Sequence, residues 1–412
     1  MKKLESDEKG TDKKGADKKS ILLFSPRQWD LQWGQEKDLV DILKDSYHVT
    51  ICEFMDYLKL KKVYTPFENT TVVYRKTNLK PGVLFGLVSE WRCFKDTLKY
   101  KHDIMITYLT AGTLLASLFD RMRGKKILLI YADDMPELHK HSSFLAYWFT
   151  KHVFNPLSAL LSSEIIVTAK LLQGDIAYFG KKPVYVPNGV NLDKYVLPKG
   201  VSGENKSNKS KDVSAKNFSK KNNVHATVRH SETFHSKGKF VLGFVGGFGK
   251  WVDFDMVLDY AKNNPSTDVW LIGDGEQFNY VKDKIKSYDL KNVKLTGMIP
   301  KDKVREYMVQ MDACIIPFKV NRLTDRVSPI KLFEYWSMGK PVISTGFYEV
   351  KEMGAGIVLF IKDANELASV IDKLKTDNNY RKKIIDAGLK KVVNYDWKVL
   401  GKKYLSALEK LK

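Results

Sequence analysis

Cysteine is scarce in this sequence, long apolar runs are missing, and acids are outnumbered. The three cysteines, Cys52, Cys93 and Cys314, stand far apart without paired spacing. That excludes a disulfide-built scaffold and fits a reducing compartment, with the thiols as small core residues. No stretch reaches the roughly 18 uninterrupted apolar residues that a spanning helix needs, so none is expected. The first nineteen residues are charged and contain glycine, with no apolar run, so no secretory leader is expected there. No zinc-ligand cluster and no nucleic-acid-binding signature occurs, so nucleic acid is not an expected partner.

What is present is a globular composition with a basic excess. Hydrophobic residues make up 43% and aromatics 12%, which a disordered chain would not carry. At 412 residues there is room for two domains with sizeable cores. Lys and Arg number 69 against 48 acids, a net charge of +21. Residues 1–19 hold +2 of this and residues 199–239 hold +7, leaving +12 on the rest. Such a surface attracts nucleotides or an anionic membrane leaflet.

The pattern along the chain is short apolar runs separated by longer amphipathic segments. In the first half the runs are 21–25, 49–54, 71–75, 103–109, 126–132, 165–169 and 184–186. Several are apolar throughout, as in parallel strands buried on both faces. Helices are expected between them, for example over 34–45 and 112–123. In the second half strands are expected at 240–246, 269–272, 293–296, 313–318, 341–344 and 357–361, and helices from 365 to the end. Alternation of this kind predicts doubly wound α/β sheets. Residues 1–19 read as a disordered tail. Residues 199–239, rich in Lys, Asn and Ser, read as a disordered insertion at the domain junction. The expected domains are 20–190 and 240–395, with a linker over 191–239 and a final helix from 396 to 412.

One stretch organises the rest: Ser328-Pro329-Ile330-Lys331-Leu332-Phe333-Glu334-Tyr335-Trp336-Ser337-Met338-Gly339-Lys340-Pro341-Val342. Pro329 starts a short helix, Gly339 ends it, and Pro341 prevents its return before a buried strand. Ser328, Lys331 and Glu334 recur every three positions, so they share one side of the first turns. Backbone amides there favour an anion. A lysine at that place can meet a phosphate, and a carboxylate one turn later can accept hydrogen bonds from a ribose diol. The alternative is a solvated helix face with a Lys/Glu pair.

Ser-Pro-x-Lys-Leu-x-Glu-Tyr followed by Gly-Lys-Pro-Val-Ile-Ser-Thr resembles the nucleotide-sugar motif of GT-B glycosyltransferases, including glycosyltransferase family 4. With Ala313–Lys319, Asn321 and Thr324 upstream, the order is similar to the bacterial branch that builds cell-surface polysaccharides, teichuronic-acid-type transferases among them. The resemblance implies two Rossmann-like domains facing a cleft, with donor diphosphate on Lys331 and ribose on Glu334. It also implies that no divalent metal and no separate cofactor are needed. Many members carry a second glutamate eight positions before the ribose glutamate; here that position is Arg326, beside Asp325.

Further candidates flank this motif. Gly246, Gly247 and Lys250 follow the first strand of the second half, where glycines let amides approach a diphosphate. Asp253 and Asp255 can cap the helix after them. Gly273-Asp274-Gly275 resembles a family turn, equally readable as a plain turn and helix start. Gly297-Met298-Ile299-Pro300 resembles the turn beside the nucleotide base, with the backbone of Met298 or Ile299 as the reader. Tyr131-Ala132-Asp133-Asp134 closes a strand of the first half. Adjacent carboxylates raise each other's pKa, so Asp133 or Asp134 is a candidate general base for an inverting reaction. Capping of the next helix is the alternative. Arg27 is a candidate for an acceptor phosphate, while His139 and His141 read as surface residues. Residues 142–163 are apolar and aromatic with Lys151-His152 in the middle. A buried helix is the default, and a helix at a membrane interface is the alternative.

These readings converge on an enzyme of hexosyltransferase type that uses a UDP- or GDP-sugar. The expected acceptor is a glycan or lipid-linked saccharide, in cytoplasmic cell-envelope synthesis with peripheral contact to an anionic membrane. A nucleotide-sugar epimerase of the same fold and a non-catalytic membrane-associated scaffold are the rivals.

Overall fold

The computed structural model describes residues 18–25, 35–53, 69–73, 83–108, 112–140, 144–177, 179–195 and 238–411. Residues 1–17 of the expected tail, the loop holding Arg27, His141 and nearly all of the expected insertion lie outside the described residues. Thirteen strands are described: β1 (Ser20–Ser25), β2 (His48–Glu53), β3 (Thr70–Val73), β4 (Ile104–Tyr108), β5 (Lys126–Tyr131), β6 (Glu164–Val167), β7 (Val184–Tyr185), β8 (Phe240–Val245), β9 (Thr267–Ile272), β10 (Val293–Leu295), β11 (Ala313–Ile316), β12 (Val342–Thr345) and β13 (Leu359–Ile361). Each of the thirteen coincides with an expected run. The first seven form one sheet in the order β3-β2-β1-β4-β5-β6-β7, and the last six another in the order β10-β9-β8-β11-β12-β13. Every pairing described between named strands is parallel.

Helices fill the crossovers that parallel pairing demands. In the first half they are α1 (Gln35–Leu43), α2 (Val83–Lys99), α3 (Leu114–Met122), α4 (Met135–His139), α5 (Phe144–Phe149), α6 (Asn155–Leu161) and α7 (Lys170–Ala177). In the second half they are α8 (Phe254–Asn263), α9 (Phe278–Ser287), α10 (Lys301–Gln310), α11 (Ile330–Ser337), α12 (Tyr348–Gly354), α13 (Ala364–Thr376), α14 (Asn378–Val392) and α15 (Trp397–Glu409). The all-apolar strands are buried along their length, as β4 and β8 show. Leu22, Phe24, Met105 and Ile127 centre one core. Leu242, Phe244, Leu271, Ile315, Phe333 and Trp336 belong to the larger one.

The chain divides into two compact units. Unit one comprises the described residues of Met1–Ile130, Phe154–Ile165 and Leu408–Lys412. Unit two comprises Tyr131–Val153 and the described residues of Ile166–Ala407.

Residues 142–163 depart from the default expectation of one buried helix. A π-helical turn, Thr150–Phe154, separates α5 from α6. In α5 no residue is buried, and Phe144 is 78% exposed. Phe144, Leu145, Trp148, Phe149, Leu157 and Leu160 face solvent, while Phe154 and Ala159 are buried. His139, expected at the surface, is half-buried in α4, and burial lowers its pKa.

Candidate active site

In the second sheet β8 lies between β9 and β11, so the strand order reverses on either side of it. At such a switch point crossovers leave in opposite directions and open a space beyond the carboxyl ends of the strands. All residues described below belong to unit two. Three glycine-bearing turns converge there. The Gly246 N–H donates to the Ile272 carbonyl at 3.0 Å, Phe248 N–H to the Asp274 carbonyl at 2.9 Å, and Gly273 N–H to the Gly297 carbonyl at 3.2 Å. Gly273 has φ +140°, and a Cβ on it would lie 1.9 Å from the Gly246 oxygen. Only glycine permits that approach of backbone to backbone. Gly247 differs, because a Cβ there would meet nothing within 4 Å.

α11 supplies the charged groups. Pro329 caps it, with Leu332 N–H donating to the Pro329 carbonyl at 3.1 Å. Its end is a Schellman motif: Gly339, at φ +64°, donates to the Trp336 carbonyl and Lys340 N–H to that of Tyr335, both at 3.0 Å. The Tyr335 hydroxyl accepts from Val245 N–H at 2.9 Å, which fastens the helix to the end of β8. Burial raises the Tyr335 phenol, so it stays neutral. Lys331 Nζ donates to Glu334 Oε2 at 2.7 Å, and the Tyr195 hydroxyl donates to Glu334 Oε1 at 2.6 Å. Glu334 is 6% exposed, so the solvated-face alternative fails for it. The Lys331 stem passes Gly246, with Cε 3.4 Å from where a Cβ on that glycine would stand. This geometry offers a cation and the N-terminal end of α11 beside an open glycine turn, which together suit a diphosphate.

A second constellation surrounds Asp134. Its side chain accepts from Glu137 N–H at 3.3 Å and caps α4, as the capping alternative expected. It is 1% exposed, with Arg322 Nε at 3.1 Å and Arg326 Nε at 3.4 Å from Oδ2. Arg326 also forks onto Asp175, Nε to Oδ2 at 2.7 Å and Nη2 to Oδ1 at 3.3 Å. Burial pushes the Asp134 carboxyl above its ordinary range, and Arg322 opposes the shift. Burial likewise raises the Tyr131 phenol next to it. Asp133 is half-buried, and its carbonyl accepts from Met135 N–H at 2.9 Å.

Residues 207–391 match the family model of the glycosyl transferases group 1. The matched span runs over the second-half elements from β8 into α14. Over 114 residues it is 33% identical to TuaH of Bacillus subtilis (strain 168), named as a teichuronic acid biosynthesis glycosyltransferase. That match covers 27% of this chain, which spans 28% of the length of TuaH. Among solved structures, Anabaena HepE with UDP and glucose superposes at TM-score 0.64, 16% identity, over 95% of this chain and 99% of HepE. The sucrose-phosphate synthase of Thermosynechococcus elongatus superposes at 0.70 and 14% identity, over 95% and 99% of the two chains. A glycosyltransferase from Rickettsia africae ESF-5 gives 0.65 at 16% identity, over 96% and 99%. At these identities the likeness establishes the fold, which is GT-B.

The sequence-derived donor residues divide into two sets. Gly246, Gly247, Lys331 and Glu334 come together at the switch point. Ser328 stands at the same place but is turned to the Pro187–Gly189 turn: its Oγ accepts from Asn188 N–H at 3.1 Å, and its carbonyl from Asn188 Nδ2 at 2.6 Å. Lys250 is exposed and pairs with Glu276 at 2.7 Å, and Met298 is 73% exposed beyond Gly297. Sequence reasoning missed Tyr195, Arg322 and Asp175. Tyr195 and Asp175 lie in no recognisable motif. Arg322 and Arg326, four residues apart ahead of the motif, were a readable signal of two cations on one turn.

Proposed function

We propose that this chain is a group 1 glycosyltransferase that moves a hexosyl group from a nucleoside-diphosphate sugar to a glycan or lipid-linked acceptor in cell-surface polysaccharide synthesis. The observation that carries the reading is the Lys331–Glu334–Tyr195 constellation, set beside the open turn at Gly247 where the strand order of the second sheet reverses. In this reading residues 240–395 bind the donor and residues 20–190 the acceptor. Lys331 exchanges Glu334 for the β-phosphate, and the first amides of α11 share that charge. Glu334, held by Tyr195, then accepts from the ribose hydroxyls. Met298 and Ile299 lie after the turn that would border the base. UDP-bound structures of the same fold and the partial match to TuaH support a uridine donor and an envelope acceptor. The chain works in this reading at the inner membrane face.

Of the two neighbouring acids, Asp134 is the buried one and has guanidinium partners. Desolvation favours proton uptake by Asp134, while Arg322 and Arg326 hold it in place. Asp134, or Asp133 beside it, serves as base for an inverting transfer in this reading, since position 326 holds an arginine committed to Asp175.

Thermal shift against UDP, GDP, ADP and CMP, each with its sugar conjugates, tests the donor site. One nucleotide should stabilise the wild type and fail to stabilise Lys331→Ala and Glu334→Ala. No stabilisation by any of them at millimolar concentration would favour a non-catalytic scaffold.

A further inference from the structure

Three helices of unit one, α2, α3 and α6, are amphipathic in the wrong sense for a soluble protein. α2 packs on α3, and α3 on α6. α2 buries Ser89, Cys93, Asp96 and Thr97, and turns Leu87, Trp91 and Leu98 outward. α3 buries Ala116, Ser117 and Asp120, and exposes Leu115, Leu118 and Met122, the last by 78%. α6 buries Asn155, Ser158 and Ala159, and exposes Leu157 and Leu160. The exposed positions follow helical spacing, so each set forms a stripe.

The inward polar groups are bonded where they sit. Thr97 Oγ1 donates to the Phe94 carbonyl and Ser117 Oγ to that of Thr113, both at 2.7 Å. Asp120 meets His102 Nε2 at 2.6 Å. Turning α3 over would break the Asp120–His102 contact and leave a buried carboxylate without that partner, so the polar inner face is fixed there.

Charge on the same face has one sign. Lys95 and Lys99 on α2, Arg121 on α3, and Arg123 just past it are exposed. Lys95 lies over the Trp91 ring at 5.2 Å and Arg123 over Phe119 at 5.1 Å. The carboxylates of these helices point elsewhere. Asp96 and Asp120 are buried, and Glu90 accepts from the amides of Gly112 and Leu115 at 2.8 and 2.9 Å. Among the described residues of α2, α3 and α6, no carboxylate is exposed.

We propose that this face seats on an anionic lipid bilayer. The Leu, Trp and Met side chains enter the headgroup–acyl boundary while the cations meet lipid phosphates. The contact is peripheral, since no helix among the described residues is long and apolar enough to cross a membrane. The inference rests on the reading that the acceptor is met at a membrane, and names the surface that brings the enzyme there.

Flotation of the full chain with vesicles tests it without requiring transfer. Binding is expected to vesicles of phosphatidylcholine with phosphatidylglycerol, and to be at least about tenfold weaker with phosphatidylcholine alone or in molar salt. The double variant Leu118→Glu/Met122→Glu should lose at least about tenfold in binding. Both side chains are exposed, so its melting temperature and nucleotide-induced stabilisation should match wild type. Lys95→Glu/Lys99→Glu should weaken binding only to the anionic vesicles. Equal flotation of the Leu118/Met122 variant, or no flotation of wild type, would overturn the proposal. So would a lipid-free dimer that this variant dissociates, which would assign the face to a second copy. Wild type that binds nucleotide but not vesicles would sink this inference alone and leave the donor reading standing.

Discussion

The pair Gly247→Ala and Gly273→Ala separates the role of the glycine turns in folding from their role in binding. At Gly247 an added methyl meets nothing within 4 Å, and the backbone is outside the left-handed region. Folding should therefore be neutral, or stabilised by about 0.4–1 kcal/mol through the stiffer unfolded chain. If a diphosphate lies against this turn, the methyl fills its space. A loss of about 1.4–3 kcal/mol in binding, or roughly 10- to 150-fold in Kd, is then expected. At Gly273 the reverse holds. Positive φ costs a non-glycine residue about 1–3 kcal/mol. The Cβ would also lie 1.9 Å from the Gly246 oxygen, where ordinary contact begins at 3.4 Å. The β8 and β9 turns would have to part, which weakens the Gly246–Ile272 and Phe248–Asp274 hydrogen bonds now at 3.0 and 2.9 Å, each worth about 1 kcal/mol. The expected loss is about 3–5 kcal/mol in urea unfolding. Titration calorimetry with UDP on Gly247→Ala is the decisive assay. Wild-type affinity in a normally folded variant would refute the close approach of phosphate to this turn.

Three further outcomes follow from the same geometry. Arg326→Glu, which places a glutamate eight positions before Glu334, should destabilise the fold by about 3–5 kcal/mol, because buried Asp134 and half-buried Asp175 would face a third carboxylate; unchanged urea unfolding would contradict the assignment. Tyr195→Phe removes one bond to buried Glu334, so it should cost about 1 kcal/mol in unfolding and weaken nucleotide binding without abolishing it; equal affinity in calorimetry would count against Tyr195 as a holder of that carboxylate. The third concerns pH. Burial raises the carboxyl of Glu349 above its ordinary 4.5 and that of Asp134 above 3.8, against the hydrogen bonds and charges that lower them. The folded chain then binds more protons than the unfolded one in that window. These two groups therefore favour folding at low pH, and their contribution falls as pH rises through their folded pKa values. Melting curves of wild type and Glu349→Gln should converge at acid pH if the remaining hydrogen bonds are equivalent; a contribution of Glu349 that grows with pH would refute the direction.

The strands were legible because parallel strands buried on both faces need continuous apolar residues, and runs such as Ile21–Phe24 and Phe240–Val245 are of that kind. The α11 motif was legible for a local reason. Pro329 and Gly339 act within one helix, and Gly339 takes the positive φ its neighbours could not hold cheaply. Residues 142–163 were misread because apolar content does not say which way a helix faces. Phe144 and Leu145 are as apolar as core residues yet lie open to solvent.

By itself, the sequence determined the order of the strands, the parallel class of both sheets and the Lys331–Glu334 spacing. All of these depend on neighbours within a turn or on strand periodicity. The tertiary structure alone decided which groups meet across long separations. Tyr195 reaches Glu334 across 139 residues and Arg326 reaches Asp175 across 151. It also decided that Ser328 and Asp134 are held by protein partners, that Lys250 is drawn off by Glu276, and that three helices show water their apolar side. Such choices depend on which burial and which hydrogen bonds the whole fold can satisfy together, and a local spacing carries no record of them.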